Sequence, residues 1–226
     1  MYSIFRHLFV LLVVVCSNFL NAQSKLIYIA DPLCSWCYGF QPELDKVLEH
    51  YKGKLSVEFL VGGLGLENKK GLNREFKDGL LAHWKEVHAE SKQPFDSKIL
   101  NTRGLIYNSL PLCLAVQATK SIDSTAALAM HKKLQQYFFA QNKNVTQFAE
   151  IQKLAGDMSL DTAQFRTVYY LPETKTSLES EFKRVEKNGI DSFPVLILVT
   201  QKETVILSEG YTSHKNIIKK INKLLK

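Results

Sequence analysis

The residues best suited to chemistry are two cysteines in the segment Cys34-Ser35-Trp36-Cys37. Two cysteines at this spacing serve as half of a zinc site, as a structural disulfide or as a redox-active pair. A zinc site is disfavoured, because the sequence has no second Cys-x-x-Cys pair and no matching histidine cluster to complete four ligands. A structural disulfide is also disfavoured, because a bridge that closes so short a loop restrains little of the unfolded chain. The spacing therefore favours a redox-active pair.

The residues around this pair predict a strand, a helix and a second strand. Residues 25–30 form a short apolar run, a helix is expected over about 35–51, and residues 55–61 show the alternation of another strand. Because these elements follow one another within 37 residues, we expect a βαβ unit with parallel strands. The cysteine pair then lies where the first strand ends and the helix begins.

This position distinguishes the two thiols. Unpaired backbone N–H groups and the positive end of the helix dipole both favour a thiolate over a thiol at a helix N-terminus. Cys34 is placed to receive these effects and to be exposed, whereas Cys37 lies one turn into the helix and is more shielded. We therefore expect Cys34 to be the nucleophile and Cys37 to close or resolve the disulfide.

The remainder of the chain is helical in the middle and returns to sheet at the end. Six helices and no strand are expected between about 68 and 187, at residues 73–88, 110–120, 124–142, 145–156, 161–170 and 172–187. A hairpin is expected at 195–200 and 204–208, followed by an amphipathic helix at 213–226.

Composition excludes several classes of protein. The chain has 226 residues, 46% hydrophobic and 23% charged, which is ordinary for one globular domain and unlike a collagen, a disordered chain or a polytopic membrane protein. The formal net charge of +7 comes from scattered lysines rather than from an arginine-rich stripe. We therefore expect no nucleic-acid partner.

The first 22 residues are expected to be a signal peptide. Residues 1–7 carry one arginine and no acid, residues 8–16 are an unbroken apolar run, and Ala22 offers a small residue for cleavage. A transmembrane anchor would need about 20 apolar residues. The mature protein is therefore expected in the periplasm or outside the cell, without stable insertion in a membrane.

Further features resemble the thioredoxin superfamily and occur in its order. Pro42 lies five residues after Cys37, where thioredoxin-fold proteins place a helix-kinking proline. Residues 189–195, which include Pro194, are similar to the family's loop that carries a cis-proline before a core strand. Gly210 then lies where the family has a glycine after the hairpin.

The resemblance extends to a branch of the superfamily. The large helical insert and the export signal resemble the DsbA branch, and the string Asp-Pro-Leu-Cys-Ser-Trp-Cys-Tyr-Gly-Phe at residues 31–40 resembles its FrnE-like members. The implied fold is α/β: a thioredoxin fold (βαβ, then ββα) built from residues 23–65 and 188–226, interrupted by a large α-helical insertion domain at 66–187. The implied activity is that of a protein-disulfide oxidoreductase, and no cofactor or metal is expected.

The resemblance also implies which residues form the site. Cys34 and Cys37 would be catalytic, and Phe193 and Pro194 would lie beside them as substrate-binding residues. Trp36 is a candidate to line a hydrophobic groove for unfolded polypeptide.

Two features depart from the family's pattern. The dipeptide Ser35-Trp36 carries no cationic side chain, and Tyr28 lies six residues before Cys34, where thioredoxin has a buried acid. Asp31 is nearer and is a candidate proton acceptor, although an acid next to Pro32 equally suits a turn. The direction of electron flow therefore stays open.

These features together predict an exported oxidoreductase that exchanges disulfides with cysteine-containing exported polypeptides and with an unidentified redox partner. Cys113 is expected to be a buried, inert thiol.

Two alternative functions stay open. One is a relative of the glutathione-dependent isomerases and kappa-type transferases, which need one nucleophile and a glutathione site. The other is a peptide-binding chaperone module that uses the helical insert.

Overall fold

The predicted βαβ unit is present. The computed structural model describes residues 24–226, so the expected signal peptide lies outside the described residues. The unit consists of β1 (Lys25–Ala30), α1 (Ser35–His50) and β2 (Ser56–Val61). The two strands are parallel, with Tyr28 opposite Phe59.

Helices fill the chain between β2 and the next strand, as predicted. They are α2 (Arg74–Ser91), α3 (Leu110–Ile122), α4 (Ala127–Gln135), α5 (Phe148–Asp157), α6 (Thr162–Tyr169) and α7 (Pro172–Lys187). A short 3-10 helix, Ser97–Asn101, follows α2. Within residues 24–226, no helix is both long enough and apolar enough to cross a membrane.

One predicted helix differs from the structure. The helix expected at 124–142 begins only at Ala127, and after Gln135 it continues as a π-helical turn, Gln136–Ala140. Three successive aromatic residues in this turn, Tyr137, Phe138 and Phe139, are all buried. The wider π turn allows such neighbouring side chains to reach the core together, which hydrophobic periodicity does not predict.

The chain then completes the sheet. The last elements are β3 (Val195–Val199), β4 (Thr204–Glu209) and α8 (His214–Leu224). The order in the sheet is β2-β1-β3-β4, and β3 is antiparallel to both of its neighbours. The predicted α/β class with a long helical insertion is confirmed, whereas the domain limits at 66 and 187 stay a prediction.

Alternate residues of each strand point to opposite sides of the sheet, and apolar residues on both sides are buried. On one side Leu26 and Tyr28 join the main core with Phe40 of α1. On the other side Ile27 packs in a smaller cluster with Val185 of α7. The sheet therefore lies between helical layers, and the end of β1 is packed on both sides where it leads to α1.

Charged side chains cover the sheet edge formed by β2. The Glu181 carboxylate accepts the Val61 N–H at 2.7 Å and the Lys120 ammonium group at 2.7 Å, while Lys120 also donates to the Phe59 carbonyl at 2.9 Å. At the opposite edge, Lys220 donates to the Ile206 carbonyl of β4. Edge-strand groups that are paired in this way are poor templates for adding another strand.

Candidate active site

Cys34 lies at the N-cap of α1, where the sequence places it. Its N–H donates to the Asp31 carbonyl at 3.1 Å, which closes a turn between β1 and α1. The Cys37 N–H then donates to Cys34 Sγ at 3.4 Å. A backbone donor at a helix N-terminus therefore faces the sulfur, which is the arrangement that stabilises a thiolate.

The loop before β3 approaches this sulfur from the far end of the chain. The Phe193–Pro194 peptide bond is cis, as the resemblance implies. Cys34 Sγ lies 3.4 Å from the Phe193 carbonyl oxygen, to which the thiol donates across 159 residues of chain. The Pro194 carbonyl accepts the Gly210 N–H at 2.8 Å and so joins the loop to the end of β4. The fold therefore brings together Cys34, Cys37 and Phe193.

Trp36 lies at the same end of the molecule. Its indole is half-buried, and the ring centroid lies 6.4 Å from that of Tyr211, which follows β4. Tyr211 in turn packs edge-on against Phe40. This arrangement leaves part of the Trp36 ring open to solvent beside the cysteine pair.

The three thiols of the described chain differ in exposure. All are free; Cys34 is 8% exposed, while Cys37 and Cys113 have no exposed surface. Burial, together with the neighbouring Cys34, raises the pKa of the Cys37 thiol well above its ordinary value. The Cys113 thiol donates to the Gly62 carbonyl at 3.2 Å, and burial raises its pKa as well. The expectation that Cys34 is exposed is therefore wrong, because the loop that carries Phe193 packs against its sulfur. It is nevertheless the most accessible of the three thiols.

Asp31 both forms the turn and can titrate near neutral pH. Its side chain has no exposed surface and accepts the N–H groups of Leu33 at 2.7 Å and Leu64 at 2.9 Å. Burial raises the pKa of this carboxyl to about 7, although those N–H donors oppose the rise. The two roles considered for Asp31 are therefore compatible.

Tyr28 does not replace the missing buried acid as a base. It is fully buried and stacks on Phe59 with ring centroids 5.7 Å apart. Burial raises the pKa of its hydroxyl well above the ordinary value of 10.0, and the nearby Cys37 and Cys34 raise it further. The phenol is therefore neutral when the cysteines react.

Sequence reasoning missed three residues of this site. The ring of Phe193 lies on Gly62, where an added β-carbon would be 2.0 Å from Cζ. The Tyr107 hydroxyl donates to the Leu33 carbonyl at 2.5 Å, and Gln135 donates to two carbonyls of the turn before α1. Only Gly62 had a local signal, since a glycine at a strand end often marks close backbone approach.

Residues 27–219 match the sequence model of the family described as Thioredoxin. The chain belongs to the thioredoxin family. The predicted membership in this superfamily is confirmed, and the solved structures that it resembles include DsbA-like proteins.

A structure from Nitrosomonas europaea, described as a candidate protein disulfide isomerase, is 30% identical, covers 90% of this chain and 98% of its own, and has a TM-score of 0.82. The cytosolic disulfide reductase DsbM from Pseudomonas aeruginosa is 19% identical, with 89% and 98% covered and a TM-score of 0.73. The oxidoreductase NmDsbA1 from N. meningitidis is 12% identical, with 89% and 81% covered and a TM-score of 0.54. The last two likenesses concern the fold.

Curated relatives carry a different description. The ClpXP adapter protein SpxH of Bacillus subtilis is 22% identical over 183 residues, which cover 80% of this chain and 60% of SpxH. SpxH of Halalkalibacterium halodurans is also 22% identical, over 74% of this chain and 56% of that protein. The matched region thus spans less than two thirds of these relatives' length.

Proposed function

We propose that this protein is a thiol–disulfide oxidoreductase that exchanges disulfides with cysteines of other polypeptides through Cys34 and Cys37. The observation that carries the proposal is the position of Cys34 Sγ. It accepts the Cys37 N–H at 3.4 Å and lies 3.4 Å from the Phe193 carbonyl. The similarity to the candidate disulfide isomerase from Nitrosomonas europaea, at 30% identity, supports the same class of reaction.

The reaction proceeds by two exchanges. In the oxidising direction, a substrate thiolate attacks Cys34 of the Cys34–Cys37 disulfide, and Cys37 leaves as a thiolate. A second substrate thiolate then attacks the substrate sulfur of the mixed disulfide, which releases Cys34 and leaves the substrate oxidised. Because Cys37 is fully buried, attack on Cys34 is sterically favoured. Reduction of a substrate disulfide follows the same steps in reverse.

The bound polypeptide is expected to lie extended beside Phe193. There it would use backbone hydrogen bonds in the manner of an added strand. The exposed part of the Trp36 ring is available to contact its apolar side chains. Phe193, Pro194 and Trp36 thus belong to the proposed polypeptide site.

Export is a separate part of the proposal. It depends on the predicted signal peptide at residues 1–22, whose removal would place the protein with cysteine-containing exported polypeptides. Amino-terminal sequencing of the protein from the cells that make it tests this part. A chain that begins at Gln23 supports export, whereas an intact Met1 in a cytosolic fraction contradicts it, and DsbM shows that this fold also occurs in a cytosolic reductase.

Mixed-disulfide trapping tests the exchange reaction itself. Cys37→Ala should accumulate covalent adducts with a disulfide-containing polypeptide through Cys34, because the resolving thiol is absent. Cys34→Ala should form none, and Cys113→Ser should behave as the unchanged protein. Equal adduct yields from Cys37→Ala and Cys34→Ala would contradict the assigned roles.

Two observations favour alternative functions, which experiments on this protein and its cysteine variants can test. DsbM has been solved with GSH, which favours glutathione as the redox partner or as a substrate, and glutathione-conjugation kinetics measure the latter. SpxH is described as an adapter, which favours a polypeptide-binding role. Binding of unfolded polypeptide that survives in a Cys34→Ala and Cys37→Ala double variant would support the binding role over exchange.

A further inference from the structure

The side chain of Gln135 reaches the turn that carries Cys34. Gln135 is fully buried at the end of α4, where the helix changes to the π turn. Its Nε2 donates to the Asp31 carbonyl at 3.1 Å and to the Cys34 carbonyl at 3.3 Å. Its Oε1 accepts from Gln41 Nε2 at 2.5 Å. One amide from the helical segment therefore bridges both ends of the turn.

The chemistry of the neighbours determines the orientation of this amide. Backbone carbonyls only accept hydrogen bonds, so the NH₂ group of Gln135 must face Asp31 and Cys34. Both of its N–H groups are then used, and the remaining oxygen faces the donor from Gln41. A glutamate at position 135 would have nearly the same shape but, when ionised, no donor for either carbonyl.

The two carbonyls also accept the backbone hydrogen bonds on either side of the reactive cysteine. The Asp31 carbonyl accepts the Cys34 N–H at 3.1 Å, and the Cys34 carbonyl accepts the Tyr38 N–H at 3.1 Å. The first bond closes the turn and the second begins α1. The Cys37 N–H that donates to Cys34 Sγ belongs to this first turn of α1.

Other contacts show that the helical segment closes around the same turn. The Tyr107 hydroxyl donates to the Leu33 carbonyl, between the two carbonyls that Gln135 bridges. Phe139 of the π turn stacks on Tyr38, with ring centroids 5.1 Å apart. The turn is therefore held by side chains that lie far from it in the sequence.

We propose that Gln135 is a positioning residue for Cys34: its amide holds the turn from Asp31 to Cys34 in the conformation that directs the Cys37 N–H at Cys34 Sγ. The inference rests on the proposed function, because it concerns the reactivity of the same sulfur. Its consequence is a shift in the equilibrium between dithiol and disulfide, because a hydrogen bond to a thiolate is stronger than one to a disulfide sulfur. Gln135 thus stabilises the reduced pair relative to the disulfide.

Equilibrium with glutathione measures this effect directly. Cys34 and Cys37 together pass two electrons and two protons to one glutathione disulfide, which gives two glutathione thiols and the Cys34–Cys37 disulfide. In Gln135→Met both donors are lost, so the equilibrium constant for forming the disulfide should rise by about tenfold. A second variant, Gln135→Glu, adds a negative charge. Its control is Gln136→Glu, because Gln136 is the exposed neighbour of Gln135; this control should leave the constant unchanged.

Gln135→Glu gives a signature that a general loss of packing would not produce. Burial raises the pKa of a carboxyl at this position. Above that pKa the ionised carboxylate has no donor, so the shift toward disulfide should match or exceed that of Gln135→Met. As pH falls, a protonated carboxyl regains one O–H that can donate to one carbonyl, and the shift relative to the unchanged protein should shrink. Gln135→Met has no group that can regain a donor, so its shift should not show this recovery.

The full-length variants are equilibrated in glutathione buffers from pH 5 to 8, and the oxidised fraction is read by mass after alkylation. Gln41→Leu removes only the partner of Gln135 Oε1 and should give a smaller shift in the same direction, which keeps the test available if Gln135→Met does not fold. Constants within twofold of the unchanged protein for folded Gln135→Met, or no recovery of Gln135→Glu as pH falls through the pKa of its carboxyl, would overturn the inference. The readout concerns the protein's own pair, so failure to act on polypeptides would refute the proposed function and leave this measurement intact.

Discussion

The phenyl ring of Phe193 lies in the space that a side chain at position 62 would need. A β-carbon added to Gly62 would be 2.0 Å from Cζ of that ring, far inside van der Waals contact. The carbonyl of the same Phe193 accepts from Cys34 Sγ at 3.4 Å. The absence of a side chain at Gly62 therefore leaves room for the residue whose carbonyl contacts the reactive sulfur.

Gly62→Ala should impair exchange while leaving the protein folded. The ring of Phe193 must move to admit the new methyl group, and its carbonyl should move away from Cys34. Displacement of this order commonly slows a reaction by about ten- to a hundredfold. Turnover of a disulfide-containing polypeptide measures the effect, with Gly79→Ala as the control, because no heavy atom lies within 4 Å of its new β-carbon. Unchanged turnover in folded Gly62→Ala would show that the position of Phe193 is unimportant.

A limiting alkylating reagent should label the reduced thiols in a fixed order near pH 7. Cys34 is 8% exposed, whereas Cys37 and Cys113 have no exposed surface and have thiol pKa values that burial raises. Cys34 should therefore be modified well before the other two. Peptide mapping by mass spectrometry gives the order, and labelling of Cys113 first would mean that the nucleophile is wrongly assigned.

The free energy of unfolding of the reduced protein should depend on pH because Asp31 titrates. Burial raises the pKa of the folded carboxyl from 3.8 to about 7. Between these values the folded state keeps a proton that the unfolded state releases, so the free energy of unfolding falls as pH rises, by at most about 1.4 kcal/mol per pH unit. Asp31→Asn removes this titration, so its stability relative to the unchanged protein should improve from pH 5 to 8.

Urea unfolding of both proteins at pH 5, 6, 7 and 8 measures the difference. Asp78→Asn, on the exposed surface of α2, controls for the loss of one negative charge. A difference between Asp31→Asn and the unchanged protein that stays constant over this range would contradict the expected titration.

The titration of His131 should give stability the opposite dependence on pH from that of Asp31. It is fully buried against Phe59, and neither ring nitrogen has a hydrogen-bond partner within residues 24–226. Burial lowers the pKa of the folded imidazole from 6.5 to about 3. Below about pH 6.5 the unfolded state gains a proton that the folded state does not accept, so stability is lost as pH falls toward 3.

His131→Leu removes both the buried polar atoms and this titration. Replacement of an unsatisfied polar group by an apolar one of similar size is expected to be near neutral or stabilising at pH 8. The advantage of the variant should grow on going to pH 5, by at most about 1.4 kcal/mol per pH unit below pH 6.5. Denaturant unfolding at both pH values checks this, and an advantage that shrinks at pH 5 would mean that His131 is protonated in the folded state.

The local part of the site could be predicted from sequence, because it depends on neighbours along the chain. An apolar run before Cys34 and a helical pattern after it are sufficient to place the sulfur at a helix N-terminus, where Cys37 N–H meets it. The motif around Pro194 predicted a cis bond before the core strand, and the structure has one. Hydrophobic periodicity, which reflects whether each residue is buried, was enough to predict the order of strands and helices along the chain.

Tertiary structure alone decided what surrounds the sulfur. The Phe193 carbonyl lies 159 residues from Cys34, and the Gln135 amide lies 101 residues from it. Nothing in the local pattern marks Gln135, since a buried amide is specified by two carbonyls that only folding brings to it. The pKa of Asp31 is likewise set by the helices and loops that exclude water from its carboxyl. Burial and long-range hydrogen bonds depend on packing between distant segments, whereas a sequence pattern reports only the propensities of adjacent ones.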